Sequence, residues 1–175
     1  MKKSLLLIPL ALLLIFTGCK TIQQLLTFYI DDSQTVHIPA SPTAITMISL
    51  PPVSVSTQSD AKFKNNNTSA NLVKDITLNK LTLTITDPTA QNFNFLQKIE
   101  IDISTNANDQ IRLAYLDVIP QNVSSIDLNL TDAKLDSYVK ASSYTLTTKV
   151  QTNQPLAKDV TMRVDTRFKV TADPF

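Results

Sequence analysis

Beyond Leu25, apolar and polar residues alternate with a period of two along most of the chain. That period marks strands with one buried face. Phe28 and Ile30 share a parity with Val36 and Ile38, and the intervening Asp31-Asp32-Ser33 reads as a hairpin turn. Val53 and Val55 follow. Ile76 and Leu78 alternate, then Leu81, Leu83 and Ile85 alternate on the other parity, so a bulge near Asn79-Lys80 or a break into two strands is expected. Ile99, Ile101 and Ile103 form another strand, and Ile111, Leu113 and Tyr115 the next, with Leu116 and Val118 on switched parity. Ile126, Leu128 and Leu130 continue the pattern. Tyr144, Leu146, Thr148 and Val150 precede Val160, Met162, Val164, Thr166, Phe168 and Val170, which reads as the longest and clearest strand.

Roughly eight to ten strands without intervening helices indicate an all-β, two-sheet antiparallel sandwich, immunoglobulin-like or jelly roll. At most one short helix is expected, where Leu135, Tyr138 and Val139 fall at i, i+3, i+4 and Asp132 could cap. Phe93, Phe95 and Leu96 read as a turn that plugs one end of the core. Pro39, Pro42, Pro51 and Pro52 cannot donate to a ladder, so 39–52 reads as an edge or a crossing between sheets. The polar tract from Thr57 to Asn71 reads as a long mobile loop.

The first residues obey a different rule. Lys2 and Lys3 precede an apolar run from Leu5 to Phe16, broken only by Pro9. A span of about 30 Å of hydrocarbon needs roughly 20 residues, so this run reads as a secretory signal. It ends in Phe16-Thr17-Gly18-Cys19, which resembles the bacterial lipobox, with Phe in place of the usual Leu. The resemblance implies cleavage after residue 18, a diacylglycerol and further acyl chains such as palmitate on Cys19, and a membrane partner bound through that anchor. The expected organisation is a signal peptide at 1–18, an anchor and short tether at 19–25, and one sandwich at 26–175. Lys20, not Asp, follows the Cys, and no acidic run comes after it. By the sorting pattern of such lipoproteins, this implies the outer membrane, facing the periplasm. The body is similar to β-sandwich lipoproteins of Bacteroidota-type bacteria.

Composition removes whole classes of chemistry. Of 175 residues, 16 are basic and 15 acidic, for a net charge of +1, so no basic stripe awaits nucleic acid. The sole Gly, Gly18, leaves with the signal, which rules out glycine-rich phosphate loops and the G-x-S-x-G elbow. Left-handed turn positions must then use Asn or Asp, with Asn65-Asn66-Asn67, Asp31-Asp32, Asn106 and Asn108 as candidates. Acylation of the only Cys excludes disulfides and cysteine-based metal or nucleophilic sites. Aromatic residues make up 6% with no Trp, which leaves little for the girdles of a transmembrane barrel.

Candidate chemistry is sparse. His37 is the only imidazole, between Val36 and Ile38, and is read as facing solvent. A set of Ser33, His37 and Asp31 can be drawn, but nothing positions an oxyanion hole for it. Asp102 and Asp117 lie on separate expected strands and could face each other, as paired carboxylates do in glycosidases. Asn106-Ala107-Asn108-Asp109-Gln110 is rich in oxygen but lacks regular calcium-loop spacing. The N-x-[ST] tripeptides at Asn66, Asn67, Asn122 and Asn129 follow from an Asn- and Thr-rich composition. Tyr29 and Tyr138 fall off the apolar parity and read as solvent-facing contacts or edge covers. Arg163 and Arg167 share a parity with Asp165 on the last strand, and Arg112 is the third arginine; the stripe reads as a solvated face or as a docking face. No cofactor, metal site or catalytic residue is expected. Two readings stand: a non-catalytic envelope assembly or interaction module with a protein partner, or a module binding glycan, lipid or peptide.

Overall fold

The computed structural model describes residues 27–172. The signal at 1–18, Cys19 and the tether to residue 25 lie outside the described residues. Ten strands lie among the described residues: β1 (Thr27–Ile38), β2 (Ile48–Ser49), β3 (Val53–Ser56), β4 (Val73–Asp87), β5 (Leu96–Ser104), β6 (Ile111–Leu116), β7 (Ser125–Asp127), β8 (Asn129–Leu130), β9 (Ser143–Thr152) and β10 (Val160–Ala172). Two short helices join them, α1 (Ser59–Asn65) and α2 (Asp136–Val139), with a 3₁₀ turn at Phe93–Phe95.

The strands form two antiparallel sheets. The first has the order β1-β10-β4-β7, and the second the order β2-β9-β5-β6-β8, with β3 also paired to β9. Neither closes into a barrel. The alternating apolar residues of both sheets meet in one core, where Leu81, Leu83, Ile99, Ile101, Phe168 and Val170 are fully buried. Tyr144 of β9 meets Phe168 of β10 edge to face across the layers, with ring centroids 6.1 Å apart.

Several sequence expectations are met. The parity switch in β4 is a bulge: Leu78 faces Phe168 and Lys80 faces Arg167, so Asn79 is the extra residue. The proline-rich segment carries the chain from the first sheet to the second, held by reciprocal main-chain bonds of 2.9 Å between Ser41 and Leu156. Phe93 and Phe95 plug the core as a stacked pair. Of the candidates for left-handed turn positions only Asn67 adopts positive φ among the described residues; Asn122 does so too, and Gln58, neither Asn nor Asp, corrects the rule.

Others are corrected. Asp31-Asp32-Ser33 is no turn. β1 runs straight through it, paired residue for residue with β10. The phase from Phe28 to Ile38 is unbroken, and polar side chains at the middle are tolerated because Asp32 finds partners inside the sandwich. The Thr57–Asn71 tract contains α1, because Phe63 is a fully buried anchor. β4, with 15 residues, outruns the 13 of β10. The 126–130 run splits between sheets, β7 on β4 and β8 on β6, with Leu128 at the crossing. Asp132 does not cap α2, whose N-cap is Leu135. In β6 the register shifts opposite Ile101/Asp102, which turns Tyr115 outward, and Val118 is 82% exposed beyond the strand end.

Candidate polar docking face

The outer face of the first sheet is set by strand parity. Residues that alternate with the core positions of β1, β10, β4 and β7 line up in register as rows. Asp31 faces Arg167, which faces Lys80. Ser33 faces Asp165, then Thr82, then Asp127. Thr35 faces Arg163, then Thr84, then Ser125. Thr and charged residues suit these positions because a strand face in water needs β-branched stiffness without apolar exposure.

The rows bond to one another. Arg167 donates from Nε to Asp31 Oδ1 at 2.7 Å and from Nη2 to Oδ2 at 3.3 Å, in the forked geometry of guanidinium and carboxylate. Its guanidinium lies 5.8 Å from the Tyr29 ring centroid. Arg163 Nε reaches Asp165 Oδ2 at 2.8 Å, and Ser33 Oγ donates to Asp165 Oδ1 at 2.8 Å. Partial burial opposes ionisation of Asp165, but the Arg163 and Ser33 hydrogen bonds outweigh it and hold the carboxyl below its usual range. Thr82 Oγ1 donates to Asp127 Oδ1 at 2.5 Å, with Lys80 Nζ 3.4 Å from the same oxygen. Over these rows lies an open depression of about 590 Å³.

The outer face of the second sheet carries a second network. Glu100 accepts from Arg112 Nη2 at 2.7 Å and Lys98 Nζ at 3.2 Å. Lys98 also reaches Asp117 at 3.0 Å. Hydrogen bonds to Asp117, then Glu100, raise the Lys98 ammonium above its ordinary value. Asp102 accepts from Lys149 Nζ and Gln110 Nε2, both at 2.6 Å. Arg112 sits 5.5 Å from the Tyr115 ring centroid. The Glu100 and Asp102 side chains are only 9% and 6% exposed, because the long stems of Lys98, Arg112 and Lys149 lie over them.

A third polar group sits inside the layers. Asp32 Oδ1 takes Lys62 Nζ of α1 at 2.8 Å, and Tyr144 OH approaches Asp32 Oδ2 at 3.5 Å. Burial, then the Asp32 charge, push the Tyr144 phenol well up.

The sequence-predicted candidates separate accordingly. Ser33, Asp31 and His37 share the outward parity of β1 but do not join. Ser33 bonds Asp165, Asp31 bonds Arg167, and His37 Nδ1 contacts Thr161 Oγ1 at 3.0 Å. Four residues of extended chain hold Ser33 and His37 roughly 13 Å apart. Asp102 and Asp117 do not face each other; each has its own lysine. Asp109 of the oxygen-rich loop is turned inward on Thr105 and Asn106, whose N–H groups it accepts at 2.9 and 3.0 Å. The Thr105 hydroxyl bond, opposed by partial desolvation, leads the interactions that hold its carboxyl down. Tyr138 is buried and donates to Asp109 O at 2.6 Å, a correction to its solvent-facing reading. Tyr29 is 51% exposed, as expected.

Sequence reasoning missed the Glu100 network and the Asp32–Lys62–Tyr144 group. Glu100 carried one signal, as the only glutamate in the chain, set between two inward isoleucines. The Thr82-Leu83-Thr84 alternation was visible as a strand but not as part of a face. No protein-family model matches the chain, and a search of curated proteins finds no significant match.

Proposed function

We propose that this chain is a lipid-anchored bacterial envelope protein, acylated at Cys19. Its sandwich serves as a non-catalytic interaction or assembly module at the outer membrane, facing the periplasm. The observation that carries the docking role is the outer face of the first sheet. Its three acids, Asp31, Asp165 and Asp127, each contact a base, Arg167, Arg163 and Lys80, so these rows are neutral, hydroxyl-rich and fixed in geometry. Polar side chains already held in one arrangement lose little further freedom on binding, which suits a reversible polar protein contact. The Lys2-Lys3 start, the apolar run and Phe16-Thr17-Gly18-Cys19 support the anchor. Two or more acyl chains, at about 0.8 kcal/mol per buried CH₂, hold a domain on a membrane stably.

A second reading rests on the depression over the same rows, where Ser33, Thr82, Thr84 and Ser125 hydroxyls could bind a glycan. The two separate by experiment. Cross-linked pull-down of the full lipoprotein from detergent-solubilised membranes, with Cys19→Ser as control, should recover one stoichiometric envelope protein. Its yield should fall when Thr84 is replaced by Lys. Recovery of no partner, together with saturable glycan binding to the purified protein, would move the assignment to the second reading.

A further inference from the structure

The edges of the two sheets are unequal. β7 presents three residues, β2 and β8 two each, and β3 four. Short edges limit unwanted strand pairing. β1 is the exception, with 12 residues at the end of its sheet, paired among the described strands to β10. Its register against β10 has no bulge and its sequence has no proline or lysine; its one inward charge, Asp32, is already neutralised by Lys62 of α1.

β1 is also complementary to itself. A two-fold axis through Ser33, perpendicular to the sheet, lays β1 antiparallel on its copy. Phe28 then faces Ile38, Ile30 faces Val36, and Asp32 faces Gln34 on the inner side. On the outer side Tyr29 faces His37, Asp31 faces Thr35, and Ser33 meets its own copy. Apolar meets apolar, polar meets polar, and neither acid meets an acid. Moving the axis to Asp32 sets that carboxylate against itself, and moving it to Gln34 sets Asp32 against Val36. Only the Ser33 register in this set satisfies every pair. Phe28, Asp32 and Gln34 are the inward side chains of β1 that are not fully buried, the first two beside Phe63 and Lys62 of α1.

We infer that β1 is a homodimer interface: two copies pair antiparallel about Ser33 and join their four-stranded sheets into one continuous sheet of twice the width. The interface is isologous, as a two-fold requires, and its main-chain ladder is the one strand addition uses elsewhere. With the axis normal to a membrane, both Thr27 ends stand at equal height. The dimer therefore accommodates two anchors in one leaflet but does not depend on them.

The test uses the full chain in detergent with Cys19→Ser, so that an introduced thiol is the only one. Facing residues of an antiparallel pair have Cα atoms about 4.5–5.5 Å apart, within disulfide reach. Ser33→Cys should cross-link to a disulfide dimer under mild oxidation. Asp31→Cys and Thr35→Cys should cross-link when mixed and far less when each is alone. Sedimentation of the thiol-free chain should show a dimer whose Kd rises about tenfold or more in Thr35→Asp, since like charges then oppose Asp31 twice by symmetry. That variant keeps its own fold, because position 35 faces Arg163 within the sheet. A monomer at 100 µM with no Ser33→Cys dimer would overturn the inference. So would equal cross-linking at Ser54→Cys on the other sheet, or a dimer indifferent to Thr35→Asp.

Discussion

Phe63 holds α1 to the sandwich, and its removal gives a measurable loss. The side chain is fully buried and packs edge to face on Phe28, with centroids 6.3 Å apart. Truncation of a buried Phe to Ala costs about 3–5 kcal/mol, which includes the void and the lost ring pair. α1 has seven residues and no side-chain N-cap bond, so it cannot persist without this contact. Its departure also frees Lys62 from Asp32. At roughly 2–4 °C per kcal/mol for a domain of this size, Phe63→Ala should lower Tm by roughly 6–20 °C. Equilibrium urea unfolding measures the loss. Limited trypsin digestion separates local from global effects, because Lys62 and Lys64 become cleavable before the strands do. Lys64→Ala, exposed on the same helix, should stay within about 0.5 kcal/mol of wild type. A Phe63→Ala variant within 1 kcal/mol of wild type, with unchanged tryptic pattern, would refute the assignment of Phe63 as the anchor.

Three further outcomes follow from the same geometry. Val164, 1% exposed between Gln34 and Leu83, should lose several kcal/mol on substitution by Asp, measured by urea unfolding; an unchanged midpoint would put the inward parity of β10 in error. Glu100→Gln should cost about 1–3 kcal/mol, because Arg112 and Lys98 lose the charge that holds them over a covered oxygen pair; a neutral result would show that solvent screens this network fully. Asp165 is held below its ordinary pKa when folded, so its contribution is present above the unfolded carboxylate range at about pH 4 and fades as pH falls through the lower folded value. The stability gap between wild type and Asp165→Asn should therefore be flat at neutral pH and close in acid, and a gap that widens in acid would reverse the sign.

The strands were legible because parity is a strong signal where one face is buried. The Thr166-Phe168-Val170 alternation and the switch at Asn79 both translated directly into structure. What failed had a common cause. Asp31-Asp32-Ser33 has turn composition, but long-range pairing with Thr166, Arg167 and Asp165 overrides local preference. α1 hid in a polar tract, because a seven-residue helix with one apolar anchor has no periodicity to read. The candidate face was half visible: Arg163, Asp165 and Arg167 stood out along β10, whereas their partners Asp31, Ser33, Lys80 and Thr82 come from strands distant in sequence. Register across strands decides such a face, and register is not written in any one segment.

The anchored module stands or falls on Cys19. Cells producing the wild-type chain or Cys19→Ser should be grown with labelled palmitate, fractionated, and the chain immunoprecipitated from the outer-membrane fraction. The account predicts label and outer-membrane recovery for wild type, and neither for Cys19→Ser. Equal label in both, or an unlabelled wild-type chain released as a soluble protein, would contradict it.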